Sequence, residues 1–206
     1  MSAFAEQDFE RVAEAVAAAE RLTAGEIRVV VSTAPAARHP VFALLWGALA
    51  ALVLPWLPAL FWPPPLLALL AVQAVLFVGV TGLLLLPPLA AAVTPAAVRD
   101  AAMRSAALDQ FLAHGMHQTR ARTGVLIYVA VAERRVEVIA DEGIDALVAP
   151  GAWQEVCDAV LKQAAEGRLA DGLAEGVARA GRLLAAHVPP RPIDDVNELP
   201  DRVVLL

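Results

Sequence analysis

The chain lacks any charged residue or histidine between Pro40 and Val98, the longest such gap in its 206 residues. A soluble domain built from the rest of the chain would rarely bury so long an uncharged stretch. Two apolar runs, 41–62 and 66–86, lie inside it and are separated by three consecutive prolines, Pro63 to Pro65. A helix rises about 1.5 Å per residue, so each run can cross a hydrocarbon core of about 30 Å. Three prolines cannot continue a helix, and the pattern therefore predicts a transmembrane hairpin.

Cysteine is almost absent, and this excludes an internal disulfide. The single thiol, Cys157, lies beside Val156 and Val160 on a predicted helix, so it is either a small buried hydrophobe or a reactive group. No secretory signal is expected at the start of this sequence, because its first twenty residues form a charged amphipathic pattern.

An excess of basic residues is missing as well. The net charge is −6, and both charged parts of the chain are mildly acidic. The chain therefore lacks the basic surface of a nucleic-acid-binding protein, and no nucleic-acid partner is predicted. Arg38 precedes the apolar stretch and Arg99 and Arg104 follow it, while the proline turn is uncharged. The positive-inside rule then predicts that both termini are cytoplasmic and that the turn lies outside.

Outside the gap, helical and strand patterns alternate. Residues 4–22, from about 95 to 115, 153–166 and 170–187 read as helices, the second beginning at Thr94-Pro95. Residues 26–33, 124–132 and 135–140 read as strands, the last two as an antiparallel pair and the first as a central strand. The predicted fold is α/β: a small mixed sheet covered by helices and interrupted by a two-helix transmembrane hairpin.

Four segments are expected in this organisation. Residues 1–39 supply the first helix and strand, 40–93 the hairpin, 94–188 the rest of the soluble domain, and 189–206 a proline-rich acidic tail. The first strand is too short to be stable alone, so it should pair with those after the hairpin.

Three stretches of the soluble sequence resemble the TPM domain family: residues 20–31 (ERLTAGEIRVVV), 122–129 (RTGVLIYV) and 133–144 (ERRVEVIADEGI). The closing NELPD at 197–201 and the internal hairpin look like a bacterial branch described only as predicted membrane proteins. The family includes a thylakoid protein described as an acid phosphatase. The resemblance implies an α/β sandwich, a location in the bacterial cytoplasmic membrane, and phosphatase activity with calcium bound by acidic loop residues.

One position departs from the family pattern. Many members carry an Asn-Asp-type pair before the Gly-Val-Leu strand, whereas this chain has Arg122-Thr123. An arginine cannot ligate a divalent metal, and this departure weighs against phosphatase activity.

The candidate metal ligands are Glu26, Asp141 and Glu142, with Glu20 and Asp145 nearby if the strand ends gather at one edge. Hard cations such as calcium require several carboxylate oxygens at once. The alternative is that these acids are solvated or cap helix N-termini, where negative charge is favourable.

Three weaker sites can be read from the sequence. His114 and His117 could share a zinc ion if their helix continues, or lie at its end as surface histidines. Four arginines could form an anion patch or lie near lipid headgroups, or simply be solvated; they are Arg120, Arg122, Arg134 and Arg135. The tail is rich in carboxylates but lacks calcium-loop spacing, so docking is another reading; its polar residues are Asp194, Asp195, Asn197, Glu198 and Asp201.

Two functional hypotheses follow. The first is a non-enzymatic, membrane-anchored module that binds the lipid bilayer and another membrane protein, or assembles with itself. The alternative is a membrane-tethered, divalent-metal-dependent phosphatase or hydrolase. Transport is disfavoured because the two apolar runs contain only Gln73 and Thr81 as polar side chains.

Overall fold

A computed structural model of the chain describes residues 6–34, 40–149, 151–190 and 202–206. The described residues divide into two compact units. One consists of residues up to 34 together with those from 103 onward, and the other spans 40–102. The elements in chain order are α1 (Glu6–Glu20), β1 (Glu26–Ser32), α2 (Pro40–Val53), α3 (Trp56–Ala59), α4 (Leu66–Leu84), α5 (Pro87–Val93), α6 (Ala96–Ala113), a 3-10 turn (Met116–Gln118), β2 (Gly124–Ala130), β3 (Arg135–Ala140), α7 (Glu142–Asp145), α8 (Ala152–Ala165), α9 (Leu169–His187) and β4 (Val204–Leu205).

The first unit contains a four-stranded mixed sheet in the order β3-β2-β1-β4. Strand β1 is parallel to β2, from the pair Glu26 and Gly124 to the pair Ser32 and Ala130. Strand β3 is antiparallel to β2, and β4 is parallel to β1. The predicted mixed sheet, the β2–β3 hairpin and the central position of β1 are confirmed. Because β1 precedes the apolar stretch and β2 follows it, both ends of the chain build one sheet.

Helices cover both faces of this sheet. On one face, α1, α8 and α9 contribute Val16, Val160 and Val177 to a core with Val29 and Ile127. On the other face lie α6 and the 3-10 turn, whose apolar contacts are Met103, Ala107, Phe111 and Met116. All seven residues of β1 and of β2 are buried. Burial on both faces explains why these strands read as near-continuous apolar runs in the sequence.

The second unit is built on the packing of α2 against α4. Small residues at four-residue spacing, Ala43, Gly47 and Ala51, are the buried positions of α2. A Cβ at Gly47 would overlap the hydroxyl of Thr81 on α4, so the two helices approach closely at this point. Residues 40–59 and 66–84 are long and apolar enough to cross a membrane, and most of their side chains are exposed in the structure.

Prolines mark the breaks in the apolar helices. The first run is interrupted, because α2 ends at Val53 and α3 begins at Trp56, after Pro55. Pro87 does not simply stop the second run: it begins α5, where its fixed φ and missing donor suit the first turn. Thr94 lies between α5 and α6. Its hydroxyl donates back to the carbonyl of Ala90 at 2.8 Å.

The end of the chain adds a strand that the sequence patterns did not predict. Most of the predicted acidic tail, with its carboxylates at 194–201, lies outside the described residues. The described residues 202–206 run along β1, with Val30 opposite Val204 and Val31 opposite Leu205.

Candidate functional site

The strand ends place the predicted acidic residues at one edge of the sheet. The parallel strands β1 and β2 begin there, and β3 ends there because it runs antiparallel. The backbone N–H of Asp141 donates to the carbonyl of Gly124 at 2.9 Å, which fixes Asp141 beside the start of β2. Glu26 begins β1 on the other side of β2. Neighbouring strands lie about 4.8 Å apart, so about 10 Å separates the backbones of Glu26 and Asp141.

Arg122 is the centre of the interactions at this edge. Its Nη2 lies 3.1 Å from Asp141 Oδ1 and 3.5 Å from Glu142 Oε2. Its Nη1 donates to the carbonyl of His117 at 2.9 Å. The side chain of Asp141 is only 3% exposed, whereas those of Arg122 and Glu142 are 45% and 89% exposed. A partly exposed guanidinium therefore compensates a buried carboxylate.

The loop that carries Arg122 is held in an unusual backbone conformation. Arg122 has φ 56°, in the left-handed region that non-glycine residues seldom adopt. The N–H of Gly143 donates to the carbonyl of Arg122 at 2.9 Å, and the N–H of Thr123 donates to Thr119 Oγ1 at 3.2 Å. A Cβ on Gly143 would lie 2.5 Å from the Arg122 carbonyl oxygen, so only glycine allows this approach. These contacts set the guanidinium against Asp141.

Asp141 also caps the short helix α7. Its Oδ1 accepts a hydrogen bond from the N–H of Glu142 at 2.8 Å. This contact agrees with the alternative to metal binding in which such acids cap helix N-termini. Its Oδ2 is buried and accepts no hydrogen bond from the described residues. One carboxylate oxygen thus serves both the cap and the ion pair.

The residues at this edge do not match a calcium site as they are arranged. Calcium takes six to eight oxygen ligands. Within the described ranges, no three side chains among His, Cys, Asp and Glu form a group that could hold a metal ion. The positive guanidinium lies where a cation would approach Asp141 and Glu142. The calcium ligands Glu26, Asp141 and Glu142 stay a prediction.

The other two acids considered for this site have different surroundings. Glu20 Oε1 accepts a hydrogen bond from the N–H of Ile27 at 2.8 Å, so it ties the end of α1 to the start of β1. Asp145 is exposed at the end of α7. Glu20 therefore has a structural role at this edge.

The histidine pair does not share a helical face. Helix α6 ends at Ala113, and Gly115 follows with φ 70°. The helix therefore does not continue through His114 and His117, as a shared zinc ion at helical spacing would require. Burial lowers the pKa of His114, and the nearby Arg28 lowers it further. His117 contributes its carbonyl oxygen to the Arg122 contact.

The four arginines considered as an anion patch lie at opposite ends of the β2–β3 hairpin. Arg120 and Arg122 precede β2, whereas Arg134 and Arg135 follow its other end. A seven-residue strand spans about 20 Å, so the two pairs cannot form one patch.

Cys157 lies buried in α8 against the outer strand of the sheet. Burial raises the pKa of its thiol to about 11, with added effects of the carboxylates of Glu137 and Asp158, while a hydrogen bond from the backbone of Val138 opposes the rise. The reading as a small buried hydrophobe fits this environment, and a reactive thiol does not.

Comparison with known families agrees with this architecture. The family described as the TPM domain matches residues 90–183. The resemblance to this family seen in the sequence is confirmed for the matched range. The matched range contains β2, β3 and the Arg122–Asp141 edge, while β1 and β4 of the same sheet lie outside it.

A solved structure shares this fold. The NMR structure of the BA42 protein from the psychrophilic bacterium Bizionia argentinensis is similar with a TM-score of 0.61 and 21% sequence identity. The alignment covers 98% of this chain and 94% of that one. At this identity the likeness shows the fold alone. No curated protein matches the sequence.

Proposed function

We propose that this chain is an integral membrane protein whose TPM domain is a binding module at the bacterial cytoplasmic membrane. The observation that supports the anchor is the outward apolar surface of the second unit. Only 22% and 11% of the most apolar parts of its two long helices are buried. Phe61 and Trp62, beside the proline turn, are 91% and 84% exposed and suit a membrane interface.

Strand pairing supports a hairpin rather than a single crossing. Strands β1 and β2 pair along their full length although the apolar stretch separates them in sequence. Two chain segments can share a sheet only if they lie on the same side of the bilayer. An even number of crossings satisfies this requirement, and the flanking arginines favour the cytoplasm for that side.

The chemistry of the Arg122–Asp141 edge favours binding over hydrolysis. A metal-dependent hydrolase needs carboxylates that can ligate a cation and activate water. Here the guanidinium of Arg122 pairs with Asp141, and Asp141 also caps α7. We therefore propose a non-enzymatic role, in which the domain binds another membrane protein or a second copy of itself.

The anchor is tested by alkaline extraction of membranes. Val75 and Val78 on α4 are 72% and 70% exposed, so each faces lipid in this proposal. Replacing both with aspartate costs about 2.5–3.5 kcal/mol each near the centre of a span and should release the chain from the membrane. Leu108→Asp, at a 45% exposed position of the TPM domain, is the matched control and should stay in the pellet. Extraction of the unmodified chain by alkali would overturn the anchor.

Sidedness is tested with single cysteines in a Cys157→Ala background. We expect Pro64→Cys, in the turn, to react with an impermeant maleimide in intact cells. Arg11→Cys on α1 should react only after lysis, because its side chain is 55% exposed but cytoplasmic in this proposal. The reverse pattern would show that the topology is inverted.

A thermal melt separates the binding module from the hydrolase alternative. A ligand that binds only the folded state stabilises it by about 2.7 kcal/mol at a hundredfold excess over its Kd. We expect no shift with calcium, magnesium, manganese or zinc. A clear upward shift that Asp141→Asn abolishes would favour the metal-dependent phosphatase or hydrolase instead.

A further inference from the structure

The edge of β1 that faces β4 is a binding site for an extended strand. Residues 202–206 occupy it through main-chain contacts: the N–H of Leu206 donates to the carbonyl of Val31 at 2.9 Å, and the N–H of Thr33 donates to the carbonyl of Leu206 at 3.0 Å. The two neighbouring valines of the segment pack on opposite faces of the sheet, Val203 on the face of α1 and Val204 on the face of α6.

Two side chains of the β1 region hold the ends of this segment. Arg28 is buried, only 6% exposed, and its Nη1 donates to the carbonyl of Arg202 at 3.3 Å. Thr33 Oγ1 donates to the carbonyl of Leu206 at 2.9 Å. Both hydrogen bonds are made to the backbone of the segment and not to its side chains. These contacts hold an extended backbone, and the packing of Val203 and Val204 favours apolar side chains at those two positions.

We propose that this site also takes the same segment, Arg202 to Leu206, from a second copy of the chain. The occupant that fits is already defined by the structure, and exchange between copies would reproduce every contact described above. The inference rests on the proposed function, because the bilayer would hold copies side by side at high local concentration. It identifies the partner of the binding module as another copy.

Two features favour exchange. Strand β4 has only two residues in register with β1, so few contacts oppose its departure. Helix α9 ends at His187 and β4 begins at Val204. The sixteen residues between them can span at most about 53–58 Å when fully extended, enough to cross to a neighbouring domain.

Cysteine cross-linking in membranes tests the exchange. The register places Leu206 opposite Ser32, on the same face of the sheet. Neighbouring strands are about 4.8 Å apart, within the Cα separation of a disulfide. Two chains with different N-terminal tags are co-expressed, one Ser32→Cys and the other Leu206→Cys, both with Cys157→Ala. After mild oxidation, exchange predicts a disulfide-linked product that carries both tags.

Two control variants make the result decisive. Leu108→Cys, exposed on α6, replaces Leu206→Cys to measure random collision. The double variant Ser32→Cys/Leu206→Cys in one chain reports how the segment divides between its own domain and a neighbour. A doubly tagged product well above the Leu108→Cys level supports exchange. A product at that level, with the double variant linked only within single chains, overturns it.

Failure of exchange and failure of the anchor are distinguishable. Absence of the doubly tagged product from chains that resist alkaline extraction would refute exchange and leave the membrane anchor intact. Cross-linking of chains that alkali releases would support exchange and refute the anchor.

Discussion

Gly143 is the position where a single methyl group should disrupt the Arg122–Asp141 edge. Its N–H donates to the carbonyl of Arg122 at 2.9 Å. A Cβ there would lie 2.5 Å from that carbonyl oxygen and closer still to the carbonyl oxygen of Ala121. Both neighbours are backbone atoms, so neither can rotate away. Gly143→Ala therefore forces the start of α7 away from the loop.

The magnitude follows from these distances. Ordinary Cβ contacts begin at 3.4 Å, so the two backbones must separate by roughly 1 Å to relieve the overlap. That movement would stretch the hydrogen bond of Gly143 beyond 3.5 Å and loosen the 3.1 Å pair of Asp141 and Arg122. Overpacking costs about 1–3 kcal/mol and a lost hydrogen bond about 1 kcal/mol. We expect Gly143→Ala to lower stability by about 2–3 kcal/mol.

Thermal unfolding of the detergent-purified chain, followed by circular dichroism, measures this loss. For a domain of this size, 1 kcal/mol shifts Tm by about 2–4 °C, so the expected decrease is about 4–12 °C. Gly79→Ala is the matched control, because a Cβ at Gly79 meets no atom within 4 Å and Gly79 lies in the second unit. A Gly143→Ala melt within about 1 °C of the unmodified chain would refute the reasoning.

Three further predictions concern single residues within the range that matches the TPM domain. Arg134 is exposed with φ 54° in the β2–β3 turn, so Arg134→Gly should remove about 1 kcal/mol of backbone strain and raise Tm by about 2–4 °C; a lower Tm would contradict this. Because burial raises the pKa of Cys157 to about 11, the folded protein should resist a maleimide at pH 8 and react in urea, and rapid labelling of the folded protein would show the thiol to be accessible. Burial and Arg28 lower the pKa of His114 below its ordinary value of 6.5, so the neutral form is favoured in the folded state and stability is lost as pH falls below about 6.5. His114→Gln should lessen the decrease in Tm between pH 7.5 and pH 5, and an unchanged decrease would refute this role.

Much of the fold could be predicted from local patterns. The absence of charge from Pro40 to Val98 located both apolar helices, because the requirement for an apolar span is a property of composition. The strand at Gly124–Ala130 and its antiparallel partner were recognisable because burial and turn chemistry act over a few residues. The central position of β1 could be inferred from its incomplete alternation.

The C-terminal strand carries a local sequence signal of its own. Val203 to Leu206 is a run of four apolar residues, typical of an edge strand, but the acidic residues before it made the whole segment read as a tail. Its assignment depends on an available edge of β1, which lies far away in sequence.

The sequence by itself determined the apolar hairpin, the secondary-structure periods and the family resemblance, because each is set by neighbouring residues. Only the tertiary structure decided the chemistry of the strand edge. It showed that Arg122 adopts a left-handed conformation and pairs with Asp141 and Glu142, and that Glu26 lies across β2 from them. A positive φ at arginine has no local sequence signature, since the surrounding contacts impose it. Which acids meet which cation depends on strand order, and that order is fixed by pairing across the whole apolar stretch.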